Sequence, residues 1–82
     1  MTPARIVAAR VREGTVVHLE FADGFEGSVD LGDSIRVGAA TEALRDPAVF
    51  CAVRIGSRGR SLEWSGDIDF CADALRLRAR PA

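Results

Sequence analysis

An α+β fold is predicted: an antiparallel three-stranded meander, a short helix, a second β-hairpin and a C-terminal helix, forming one domain over residues 1–82. Three observations point to it. Apolar and polar residues alternate through the first thirty positions with many β-branched side chains, the period of half-buried strands. Asp46-Pro47 then supplies a helix start. Two apolar runs, "VRI" and "SLEW", flank a glycine-containing loop, and leucines mixed with arginines fill the tail.

In the first strand Val7, Ala9 and Val11 share a parity and are expected to face inward. In the second, Thr15, Val17, Leu19 and Phe21 do so, and in the third Phe25, Gly27, Val29 and Leu31. Because a one-residue slip turns every side chain to the wrong face, the apolar pattern selects the turns. A three-residue loop, Ala22-Asp23-Gly24, sets Phe21 opposite Phe25 and Val17 opposite Val29. A matching loop at Arg12-Glu13-Gly14 is expected to set Val11 opposite Val17. Such loops close on a left-handed residue, where glycine belongs.

After Leu31 the alternation stops, and "GDSIRVGAATEAL" reads as a connection without marked periodicity. Asp46 caps one short helical turn, with Pro47 at its first position and Val49 and Phe50 packed onto the sheet. Val53, Ile55, Leu62 and Trp64 are expected to face inward from the second hairpin, whose tip is Gly56-Ser57-Arg58-Gly59-Arg60. In the tail Asp69 is expected to cap a helix carrying Ala74, Leu75 and Arg78, its last-turn arginines complementing the helix dipole. Leu75, Leu77 and Ala79 also alternate with arginines as a strand would, so both readings stay open there.

Size and composition narrow the function. A chain of 82 residues buries roughly 60% of the surface it exposes unfolded, and its net stability is about 5 kcal/mol. A deep substrate cavity would consume much of so small a core, so an enzyme is not expected. No apolar run reaches the roughly 20 residues of a membrane span. "MTPARIVAARV" has no uninterrupted apolar core of a signal peptide, so a cytoplasmic location is expected. Cys51 and Cys71 are read as reduced, partly buried small hydrophobes. All eleven basic residues are arginine. Asp23, Glu26, Asp30 and Asp33 cluster early. Arg54, Arg58, Arg60, Arg76, Arg78 and Arg80 fall in the last third among Glu63, Asp67, Asp69 and Asp73, which is therefore not a uniform basic field.

No residue pattern amounts to a catalytic, cofactor or metal site. "FADGFEGSVDL" is rich in acids but lacks the alternate-position carboxylates of a calcium loop. Its Glu26, Ser28 and Asp30 are expected on the solvent face of a strand, splayed apart. His18, the lone histidine, lies on the same polar face near Ser28 or Asp30 and reads as a surface residue. One histidine and two distant cysteines do not suggest zinc. "GSRGR" lacks the lysine and following helix of a phosphate loop. Phe21, Phe25, Phe50 and Trp64 occupy core parities, which argues against base stacking. What remains is a candidate contact for a partner or anion at Arg54, Arg58, Arg60, Arg76 and Arg78.

"FADGFEGSVDL", "LRDPAVF" and "LEWSGDIDFCADAL", in that order and spacing, resemble the small bacterial family termed domain of unknown function 2442, from about Ile6 to Leu75. The resemblance implies a compact α+β domain without established catalytic residues. Some members are joined to a helix-turn-helix domain and some are encoded beside small toxin-like proteins. This implies an antitoxin-like or regulatory interaction module. Ser65 stands where the family often has proline, and the arginines from Arg76 to Arg80 exceed the usual motif. A protein partner or self-association through exposed strand edges is therefore expected. Nucleic-acid binding through the arginines is the alternative.

Overall fold

The computed structural model describes residues 3–37, 39–65 and 68–81, with the backbone alone at 37 and 39–41. Asp67, counted above among the late acids, lies outside them. Strands β1 (Ile6–Val11), β2 (Val16–Phe21) and β3 (Glu26–Asp30) form the expected meander. A two-residue strand near the C-terminus, β7 (Arg80–Pro81), extends that sheet to the order β1-β2-β3-β7. Between them come α1 (Gly32–Val37), a 3₁₀ helix (Ala39–Arg45) and α2 (Pro47–Phe50). A second antiparallel sheet, β4 (Arg54–Ile55), β5 (Ser61–Trp64) and β6 (Ile68–Cys71), precedes α3 (Ala72–Arg78). The class is α+β, as the patterning predicts.

The register argument survives at its main point. Val17 pairs with Val29, and the Phe21 N–H donates to the Phe25 carbonyl at 2.9 Å around the Ala22-Asp23-Gly24 loop. Gly24 sits at φ +93°. Val11 does face Val17, but the first loop is Glu13-Gly14-Thr15 rather than Arg12-Glu13-Gly14. The Arg12 N–H reaches the Val16 carbonyl at 2.9 Å, whereas the expected loop would have set Val11 against Thr15.

Five other expectations are corrected. Val7 is 57% exposed while Ile6 is buried, because a bulge between Ile6 and Ala8 shifts the register and reverses the parity there. The supposed connection after Leu31 is helical and supplies Ile35 and Leu44 to the core. Ile55 is 39% exposed, since β4 is a two-residue edge strand. Asp69 caps nothing: it lies in β6 opposite Glu63, and Cys71 occupies the N-cap of α3. Cys51 and Cys71 are both exposed free thiols rather than partly buried.

The Asp46 cap forms as expected, its Oδ1 accepting from the Ala48 N–H at 2.9 Å. Both sheets and the helices then feed one cluster. Val17, Leu19 and Phe21 from β2 meet Leu62 and Trp64 from β5, Phe50 from α2, and Ala72 and Leu75 from α3. Trp64 is its centrepiece. It stacks on Phe50 with centroids 5.6 Å apart, meets Phe70 edge-on at 5.7 Å, and donates Nε1–H to the Phe50 carbonyl at 2.9 Å. No buried polar or charged residue occurs among those described.

Candidate functional site

Three surfaces carry chemistry: the late arginines, a groove beside α1 and α2, and the outer face of the first sheet. The structure divides the arginines into two groups. Arg60, Arg76 and Arg78 hold the fold together. Arg60 straddles the Asp73 carboxylate with Nη2–Oδ2 at 2.8 Å and Nη1–Oδ1 at 3.3 Å, and it also donates to the Ala4 carbonyl. The Ala4 N–H completes the knot on Asp73 Oδ1 at 2.8 Å. Arg76 lies over the Phe25 ring at 3.6 Å and the Phe21 ring at 5.5 Å, reaching Asp23 at 3.4 Å. Arg78 donates to Ser34 Oγ and to the Asp30 carbonyl. Arg54 and Arg58 form the second group, exposed at the second hairpin with no carboxylate partner among the described residues. Arg58 is held at φ +58°. The five residues thus do not converge on one site.

These contacts set carboxylate acidity. The Arg60 guanidinium, then the Ala4 N–H, hold Asp73 below the usual aspartate range. The Phe25 N–H and then Arg76 do the same for Asp23. For Asp30 the Thr15 hydroxyl and the Gly32 N–H act together, at 2.6 Å and 2.8 Å from Oδ1. A folded-state value depressed below the ordinary 3.8 adds stability that is complete above that value and is lost as pH falls toward the depressed one. Stability is therefore expected to hold down to mildly acidic pH and to decline below about 4. In Asp73→Asn that acid limb should be shallower, with lower stability at neutral pH. Urea midpoints measured across pH check this; an acid limb unchanged by the substitution would contradict it.

An open groove of about 720 Å³ runs beside α1 and α2, within the size range of ligand sites. Val11, Ile35, Leu44, Pro47 and Phe50 supply its apolar lining, and Arg12, Arg36 and Arg45 stand around it with Asp30 and Asp33. The local sequence explains the shape. Asp30 Oδ1 accepts from Gly32 and turns the end of β3 directly into α1, and the Asp46 cap starts α2 across the gap. Arg36 pairs with Asp33, while Arg45 donates to the Arg36 carbonyl at 3.2 Å. Arg12 and Arg45 have no carboxylate partner among the described residues. The groove was not visible in the sequence because α1 and the 3₁₀ helix read as a connection.

On the outer face of the first sheet, His18 pairs with Ser28, and Glu20 lies directly opposite Glu26. His18 is not a freely exposed residue: its side chain is 16% exposed and Nε2 stands 3.3 Å from Glu26 Oε1. Its Nδ1 is buried with no hydrogen-bond partner among the described residues. Glu26, expected to stand splayed on the solvent face, instead converges with His18 and Glu20 of the neighbouring strand. Ligand atoms of His18, Glu20 and Glu26 all lie within 4.8 Å of one another. The signal was present as H-x-E on one strand face with a glutamate at the paired register, and weighing His18 against the cysteines alone missed it.

The fold and these surfaces define a small α+β domain with two antiparallel sheets and no helix, among the described residues, long and apolar enough to cross a membrane. The chain belongs to the family described as "Protein of unknown function (DUF2442)", whose model matches residues 6–81. Searches of curated proteins and of solved structures give no match.

Proposed function

We propose that the chain is a non-enzymatic protein-interaction module whose groove takes a short amphipathic segment of another protein, with acidic residues beside its apolar ones. The observation that carries this is the apolar lining, in which Val11 and Pro47 offer accessible surface over the buried Ile35, Leu44 and Phe50, with Arg12 and Arg45, which have no carboxylate partner among the described residues, beside it. Apolar anchors supply affinity in such grooves, and complementary charge sets orientation and rate. The finer form of the reading, an antitoxin-like or regulatory role toward a small neighbouring protein, rests on what some family members are encoded beside.

The test compares the tagged wild-type chain with Arg12→Glu/Arg45→Glu and Arg54→Glu/Arg58→Glu in pull-downs from the native host, each variant being checked for folding by circular dichroism. The expected result is one stoichiometric small partner, lost with the groove variant and kept with the hairpin variant. Loss with the hairpin variant alone overturns the groove reading. Arg54 and Arg58, exposed and without a carboxylate partner among the described residues, favour a second reading, nucleic-acid binding. It would appear as a gel shift that falls steeply with salt and disappears in the hairpin variant.

A further inference from the structure

We propose that His18, Glu20 and Glu26 form a binding site for a divalent first-row transition-metal ion, zinc above all, on the outer face of the first sheet. The site is separate from the groove and independent of the interaction reading.

The sheet builds it. Residues two apart on a strand share a face, so His18 and Glu20 project together from β2, and the β2–β3 register brings Glu26 directly across from Glu20. Donors about 2.1 Å from one ion stand roughly 3–4 Å apart. The observed spread of up to 4.8 Å closes with small rotations of two flexible glutamates. Charge points the same way. Like charges directly opposite on an antiparallel pair destabilise it, and the Glu20 carboxylate has no hydrogen bond or ion pair among the described residues. A doubly charged cation offsets both carboxylates at once.

The imidazole supplies the nitrogen donor. His18 is largely shielded and its Nε2, 3.3 Å from Glu26 Oε1, faces that carboxylate, while the buried Nδ1 on the far side of the ring has no partner among the described residues. One nitrogen and two carboxylates suit zinc and its neighbours, whereas magnesium and calcium prefer oxygen alone. Arg10, opposite His18 on β1, is the nearby charge that opposes binding.

The experiment titrates zinc chloride alone into the full chain carrying Cys51→Ser and Cys71→Ser, which removes the exposed thiols as competing ligands, and follows heat by calorimetry. One ion per chain is expected. Glu20→Gln and Glu26→Gln, shape-conserving changes on a half-buried and an exposed side chain, should each weaken binding more than tenfold. Arg10→Ala should tighten it. Cobalt(II) should shift the His18 ring protons in the NMR spectrum. Binding that vanishes in the cysteine-free background, survives both glutamine substitutions, leaves His18 unshifted, or is matched by magnesium chloride overturns the proposal.

Discussion

Trp64→Ala is expected to leave the chain largely unfolded at room temperature. Removing a buried aromatic side chain of this size costs about 3–5 kcal/mol, and the whole domain holds only about 5. The cost should fall at the upper end because three interactions go together. The stack on Phe50 and the edge contact with Phe70 disappear, and the Phe50 carbonyl loses the Nε1–H that reaches it at 2.9 Å. Phe50 is the last residue of the four-residue helix α2, which is too short to persist without its docked side chain. The groove beside α2 should therefore disappear with the core. Trp64→Phe separates the contributions. It keeps an aromatic ring between Phe50 and Phe70 but leaves the buried carbonyl without its donor, a cost of about 1–3 kcal/mol, so that variant should fold with a lower urea midpoint. Far-ultraviolet circular dichroism and urea titration measure both. A Trp64→Ala protein melting like the wild type would mean that the cluster does not depend on its largest member.

How much of this was legible in the sequence follows from how local each determinant is. The β2–β3 hairpin could be read to the residue, because period-two patterning and a glycine required at φ +93° both act within eleven positions. Val7 could not be, since a bulge reverses parity without leaving any mark in the alternation. The α1 and 3₁₀ segments were hidden for a different reason. Among the described residues they contribute only Ile35 and Leu44 to the core, too few positions to display a helical period. The group that turns the chain into α1 is Asp30, which the strand pattern had assigned to solvent. β6 was obscured because Asp69, a good capping type, lies between the inward Ile68 and Phe70. The arginines show the same limit. Nothing near Arg60 or Arg76 in sequence reveals that Ala4, or the ring of Phe25, is waiting for it across the fold. By contrast, the His18–Glu20–Glu26 cluster follows from the register already deduced and needed only the cross-strand neighbour to be counted.

Gly59→Ala tests whether the second hairpin is seated on the first sheet. Gly59 is buried at φ +71°, and a methyl group there would stand 2.4 Å from the Ile6 carbonyl oxygen, 3.0 Å from the Ile6 nitrogen and 2.9 Å from Arg5 Cγ. The first two are backbone atoms of β1, which cannot turn aside as a flexible side chain can. Two costs combine: about 1–2 kcal/mol for placing a Cβ in the left-handed region, and about 1–3 kcal/mol for overpacking against a fixed neighbour. The expected loss, about 2–5 kcal/mol, approaches that of a core truncation although only one carbon is added. Gly24→Ala is the matched control. Gly24 has a positive φ of +93° as well but nothing within 4 Å of a new methyl group, so it should lose only the backbone part. The difference between the two urea midpoints then measures the seating of the hairpin on β1, which the Arg5 Nε–H also secures by donating to the Arg58 carbonyl at 3.0 Å. Because Arg54 and Arg58 ride on that hairpin, the same contact fixes where their charges stand. If Gly59→Ala lost no more than Gly24→Ala, the tip would be free of β1, and the left-handed backbone alone would account for glycine at that position.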